Sequence, residues 1–196
     1  MKKVIGITGG ISSGKSFVCN EIKKLGYPLI DCDKVNHDLL APGNSIYLKV
    51  IEAFGTNYLN NDKTINRALL AELIFNDKSA KERLNNISHP LIMEEVKRQI
   101  DLHDGMVFVE VPLLFECKLE YMFDKIVCIY VDKNTQINRL MARDSIEYEY
   151  AAKKVESQLS LEIKKERSDY VIDSSKGFDD TYKQIQELIR VLKGEN

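Results

Sequence analysis

The sequence predicts an α/β protein of the P-loop NTPase type: a doubly wound, five-stranded parallel sheet carrying a helical insertion and a helical lid. Three observations predict it. Apolar runs of strand length alternate with stretches of helical periodicity, the pattern of βα units. The runs are nearly continuous rather than alternating, as expected of strands covered on both faces. Between the first run and the first helical stretch stands Gly9-Gly10-Ile11-Ser12-Ser13-Gly14-Lys15-Ser16, a complete Walker A phosphate loop.

In chain order, the strands are expected at residues 4–8, 28–31, 107–111, 125–131 and 170–172, and helices between them at 15–25, 135–143 and 181–192. The last helix places Tyr182, Ile185, Leu188, Ile189 and Leu192 on one stripe. About seventy residues separate the second run from the third, with helix signals and no strand signal between them. There Ile46, Val50, Ile51 and Phe54 share a face, as do Leu69, Leu70, Leu73 and Ile74. Pro90, after Ser88, reads as a helix start leading into Leu91, Met93, Val96 and Ile100. Residues 35–104 are therefore expected to form a helical acceptor-binding insertion. Asp144 with Glu147 reads as a capping box opening a helix to about Ser157, and the charged stretch 144–166 reads as a lid. The remaining segments, 1–34, 105–143 and 167–196, make the nucleotide-binding core.

Composition excludes several classes. The formal net charge of -2 offers no bulk electrostatic attraction for nucleic acid or an anionic membrane. No apolar run approaches the ~20 residues that span a bilayer, and Met1-Lys2-Lys3 leads directly into a strand rather than a signal peptide. A cytoplasmic protein is expected. Cys19, Cys32, Cys117 and Cys128 are far apart, contain no CxxC pair and suit reduced, buried thiols.

The loop carries the chemistry. Its glycines let backbone N–H groups of residues Gly10 to Phe17 turn around a phosphate chain, and the helix that follows adds its dipole. Lys15 would reach the terminal phosphates, and the Ser16 hydroxyl would bind Mg²⁺. A GTPase would add Asp-x-x-Gly and Asn-Lys-x-Asp, and a transporter ATPase Leu-Ser-Gly-Gly-Gln; none of these occurs. The second strand ends in Ile30-Asp31-Cys32-Asp33, at the strand ends where such sheets form their ligand crevice. A carboxylate there can accept a hydroxyl proton or help hold Mg²⁺, although Asp33 as a cap for a helix over 34–40 explains the pattern equally well. Arg139 and Arg143, four apart, lie on one helix face, which is also what a solvated surface would show.

These pieces together resemble the dephospho-CoA kinase family. The resemblance runs along nearly the whole chain: the Ile5–Ser16 opening, Asp31-Cys32-Asp33, Asn66-Arg67-Ala68-Leu69-Leu70 before Ile74-Phe75, and His89-Pro90. It continues through Val111-Pro112-Leu113-Leu114-Phe115-Glu116, Arg139-Leu140-Met141-Ala142-Arg143-Asp144, and Arg167 with Asp169-Tyr170-Val171-Ile172-Asp173 beside the adenine. Ser12 departs from a usual loop glycine, Phe17 from threonine and Ser174 from asparagine. The resemblance implies transfer of the ATP γ-phosphoryl group to the ribose 3′-hydroxyl of dephospho-CoA, with Mg²⁺. It implies Asp33 as general base, Lys15 and Arg143 as stabilisers of the transferring group, and Arg139 on the nucleotide. It also implies Thr8, Asp31, Asp33, Arg67, His89, Leu113 and Phe115 toward the acceptor. His89 serves as well as an N-terminal helix residue, and Leu113 and Phe115 as well as core. Two other readings stand beside it: another small-molecule kinase such as shikimate kinase, whose glycine-rich turn after the third strand is replaced here by Pro112-Leu113-Leu114-Phe115, and a nucleotide-binding module without catalysis. Oligomeric state is left open.

Overall fold

The computed structural model describes residues 2–194. Five parallel strands, β1 (Lys3–Gly9), β2 (Leu29–Asp31), β3 (Met106–Glu110), β4 (Lys125–Tyr130) and β5 (Tyr170–Asp173), lie in the order β2-β3-β1-β4-β5. The strand that feeds the phosphate loop is thus central, with Ile5 opposite Phe108 on one side and Lys125 on the other.

Both faces of the sheet are covered, as the continuous apolar runs require. On one face, Ile5, Ile7, Phe108, Val127, Ile129 and Ile172 pack against Val18, Cys19 and Ile22 of α1 (Lys15–Lys24). The C-terminal helix Phe178–Lys193 completes that layer with Ile185, Leu188, Ile189 and Leu192, the stripe its periodicity predicts. Residues of opposite parity point the other way: Cys128 packs with Val131 and Leu161. On that face Gly6 admits no side chain, because a Cβ there would stand 2.9 Å from Leu114 Cδ1 and from the Phe123 ring. Burial raises the Cys19 thiol well above its usual range and pushes that of Cys128 up to about 12, so both behave as inert core groups.

The chain divides into two compact units: residues 1–30 with 103–196, and residues 31–102. The second unit is helical, with α2 (Cys32–Leu39), α3 (Ser45–Phe54), α4 (Arg67–Asn76) and α5 (Lys78–Asp101). Here the structure corrects the reading of Pro90. It lies inside α5, which begins twelve residues earlier under an Asp77 cap. An interior proline costs about 3 kcal/mol of helix propensity. The helix continues because Ala80, Ser88, Ile92, Val96 and Ile100, all buried, keep one face packed through the break.

A second correction concerns caps. Asp31, not Asp33, caps α2: its Oδ1 accepts the N–H groups of Asp33 (2.9 Å) and Lys34 (3.0 Å). Asp144 opens no helix; it ends α6 (Lys133–Asp144), and α7 (Tyr148–Glu156) starts after Glu147 without a side-chain cap. Beyond it lies α8 (Leu161–Glu166), capped by the Ser160 hydroxyl.

Candidate active site

The loop leaves β1 at Gly9 and enters α1 at Lys15, with Gly14 in the left-handed region at φ 90°. Ser12 also takes a positive φ, 56°, so the residue standing in place of a loop glycine adopts the backbone that glycine would. Two further positions need glycine for space. A Cβ on Gly9 would lie 2.7 Å from Ser13 Oγ and 2.9 Å from the Ile129 carbonyl, and one on Gly10 would lie 2.4 Å from Gln136 Nε2. Ser16 is exposed at the first turn of α1, where N–H groups have no partner within the helix.

Lys15 donates to Glu110 at the C-terminal end of β3, and both side chains are only 13% exposed. Sequence reasoning passed over Glu110. The signal was present, a carboxylate closing an apolar strand, but its neighbour in the crevice is set by strand order, which is not local information.

Not every expected loop residue is free for phosphate. Ile11 was expected among the phosphate-binding residues. Instead its N–H donates to Gln158 Oε1 (2.9 Å) and its carbonyl accepts from Gln136 Nε2 (2.7 Å). The Ser13 N–H donates to the Gly10 carbonyl at 3.2 Å. The Phe17 N–H, also expected at the phosphates, donates to the Gly14 carbonyl at 3.1 Å.

Beside the loop opens a cavity of about 290 Å³ walled by Gly14, Phe17, Arg139, Ser174, Gly177 and Phe178. The Phe17 and Phe178 rings lie 4.7 Å apart. Arg139 donates from Nη1 to the Ser174 hydroxyl (2.9 Å) and from Nη2 to its carbonyl (2.8 Å). The Ser174 hydroxyl itself donates to the Ser13 carbonyl at 2.7 Å. Its one proton is spent on the loop, so Ser174 ties Arg139 to the phosphate site rather than offering a donor to a base. Arg143, further along α6, is exposed and held by Asp144 (Nε–Oδ1 2.7 Å), which keeps its guanidinium firmly protonated.

The residues expected toward the acceptor differ in exposure. Thr8 is fully buried and donates to the Pro112 carbonyl at 3.3 Å. Phe115 is core, under the Arg167 guanidinium at 4.6 Å, whereas Leu113 is 43% exposed. Arg167 pairs with Glu120 and so does not line the cavity beside the loop. In the helical unit, Arg67 is exposed at the start of α4 and His89 is exposed in the middle of α5, not at a helix start. Asp33 is exposed in the first turn of α2.

The segment expected as a lid is not uniform. In α7, Ala151 and Val155 pack on Ile137 and Leu140 of α6. In α8, Lys164 is fully buried. Its ammonium donates to the Pro112 carbonyl (2.8 Å) and the Gly9 carbonyl (3.4 Å) and pairs with Glu116 Oε1 at 2.9 Å. No local pattern marks Lys164, because it lies in a run of charges that reads as solvated.

A Walker A loop on the central strand of a parallel sheet, with helices on both faces, defines a P-loop nucleotide-binding protein of the small-kinase type. A shikimate kinase from Acinetobacter baumannii, solved in complex with shikimate, shares this fold at a TM-score of 0.55 and 13% identity, covering 100% of this chain and 96% of its own. Residues 3–180 match the family model for dephospho-CoA kinase. The chain belongs to the dephospho-CoA kinase family. A relative of that name from Halalkalibacterium halodurans is 36% identical over 194 residues, 97% of this chain and 96% of its own. One from Carboxydothermus hydrogenoformans is 37% identical over 194 residues, 97% and 94% of the two chains. The solved dephospho-CoA kinase from Campylobacter jejuni has a TM-score of 0.75 at 31% identity, covering 100% of both chains.

Proposed function

We propose that this chain transfers the γ-phosphoryl group of ATP to the ribose 3′-hydroxyl of dephospho-CoA, giving coenzyme A and ADP, the last step of coenzyme A synthesis. The observation that carries the reading is the pairing of a complete phosphate loop with a family match over residues 3–180. In this proposal the acceptor hydroxyl gives its proton to the Asp33 carboxylate as its oxygen bonds to the γ-phosphorus. The bond from that phosphorus to the bridging oxygen breaks, and ADP leaves. Such transfer needs alignment and charge neutralisation more than covalent chemistry. Lys15 leaves Glu110 for the phosphates, and Arg143 exchanges Asp144 for them. Arg139 and the Phe17 and Phe178 rings hold the base end of the nucleotide.

Mg²⁺ fits the residues present. It keeps several water and phosphate ligands, so one exposed hydroxyl at the loop, that of Ser16, suffices on the protein side. Bound there, it would neutralise phosphate charge. Among the described residues no helix is long and apolar enough to cross a membrane. We place the enzyme in the cytoplasm, where its two substrates would meet.

Residues 31–102, with Arg67 and His89, are proposed to take the acceptor, and α7 with its flanks to act as the lid. Incubation with ATP, Mg²⁺ and, in parallel, dephospho-CoA, shikimate and nucleoside monophosphates tests the assignment. Dephospho-CoA should be phosphorylated far more efficiently than the rest; a better acceptor in the panel would overturn it. For the lid, Arg143→Lys keeps charge but loses the planar fork that matches phosphate oxygens, and most turnover should go while the fold remains. An Arg143→Ala enzyme as active as the parent would remove Arg143 from the mechanism.

A further inference from the structure

Ile11 is held on every side. Its N–H donates to Gln158, in the link between α7 and α8, and its carbonyl accepts from Gln136, in the first turn of α6. Its side chain packs on the α6–α7 cluster of Ile137, Leu140, Ala151 and Val155. The orientation of both amides follows from the backbone: an N–H can only donate and a carbonyl can only accept, so Gln158 must present oxygen and Gln136 nitrogen. Gln136 is 4% exposed, and its nitrogen occupies the space a side chain on Gly10 would need. Farther along the same link, the Leu159 N–H donates to Glu116 at 3.0 Å, and Glu116 pairs with the buried Lys164 that reaches the Gly9 carbonyl. One seven-residue stretch, 158–164, therefore holds the loop at Gly9 and at Ile11.

We propose that Gln136 and Gln158 are positioning residues that preorganise the phosphate loop, and that through Gln158 the lid segment and the loop form one mechanical unit. The proposal rests on the loop's binding ATP. An unclamped Ile11 would leave the turn from Gly9 to Ser13 to sample several conformations, and ATP binding would carry the cost of selecting one. Because the two glutamines hold the consecutive peptide groups on either side of the Ile11 Cα, releasing either should free the residue, and their effects should not add.

The test is titration of ATP·Mg²⁺ onto the full chain, with hydrogen exchange at the Ile11 amide and thermal melting measured beside it. Gln158→Met and Gln136→Met fill the same space without a hydrogen bond. Each should raise the Kd for ATP about three- to tenfold, the scale of one neutral hydrogen bond. The double variant should be little worse than either, and melting should move little. Gln158→Glu still offers an acceptor and should keep Ile11 protected from exchange, whereas Gln158→Met should not. Unchanged affinity and unchanged exchange in both Met variants, with the parent binding ATP, would overturn the clamp alone. Additive losses in the double variant would overturn the idea that the two bonds act as one clamp on Ile11. Failure of the parent to bind ATP would overturn the reading of the loop itself.

Discussion

Lys15→Ala should lower kcat by two or more orders of magnitude, the range typical for loss of a preorganised stabiliser of transition-state charge. It should also melt earlier than the parent, because the structure gives Lys15 a second partner. Glu110 accepts from it, and both groups are largely enclosed. Removing one side of such a pair leaves a carboxylate without its counter-ion, at a cost on the order of 3 kcal/mol. Lost turnover in the single variant could then be put down to damaged folding. The double variant Lys15→Ala with Glu110→Gln separates the two effects. It removes the stranded charge, so melting should recover most of the loss while kcat stays low. Recovery of turnover together with stability would show that Lys15 is a structural residue and would sink its assignment to the phosphates.

Asp33→Asn should cost ~10²–10⁴-fold in kcat at saturating ATP and acceptor, the usual range for loss of a general base. Extra Mg²⁺ should not restore it. Asp31→Asn is the comparison, and the structure sharpens what it should do. Asp31 is committed to capping α2 through the N–H groups of Asp33 and Lys34. Asparagine caps a helix about as well as aspartate, so Asp31→Asn should leave both the helix start and most of the activity in place. Asp33, one residue into the helix, carries its carboxylate on a different side from an extended Asp-x-Asp, where both would point the same way. Rescue of Asp33→Asn by Mg²⁺ would make Asp33 a metal-shell residue. A larger loss at Asp31 would place the base there.

What could be read from the chain was what local chemistry decides. A run such as Val107 to Val109 is apolar at consecutive positions, as suits a strand covered on both faces. The Walker A loop carries its own turn residues and helix start, so its place in the chain was legible without any distant partner. The stripe on the last helix was legible for the same reason: a 3.6-residue period is a property of sequence alone.

Tertiary packing decided the rest. Pro90 reads as a helix start because of its missing N–H, yet five buried residues carry α5 through it. Ile11 reads as a loop residue open to phosphate, yet Gln136 and Gln158, 125 and 147 residues away, take both its polar groups. Lys164 reads as one charge in a solvated run, yet it is the buried cation against Gly9, Pro112 and Glu116. The last two depend on which elements the sheet order 2-3-1-4-5 brings together, and hydrogen-bond partners across such distances leave no period or spacing in the sequence. The sequence by itself determined the phosphate loop and the layers that carry it; the tertiary structure alone decided which side chains hold that loop in shape, because burial and pairing of polar groups are properties of the packed chain.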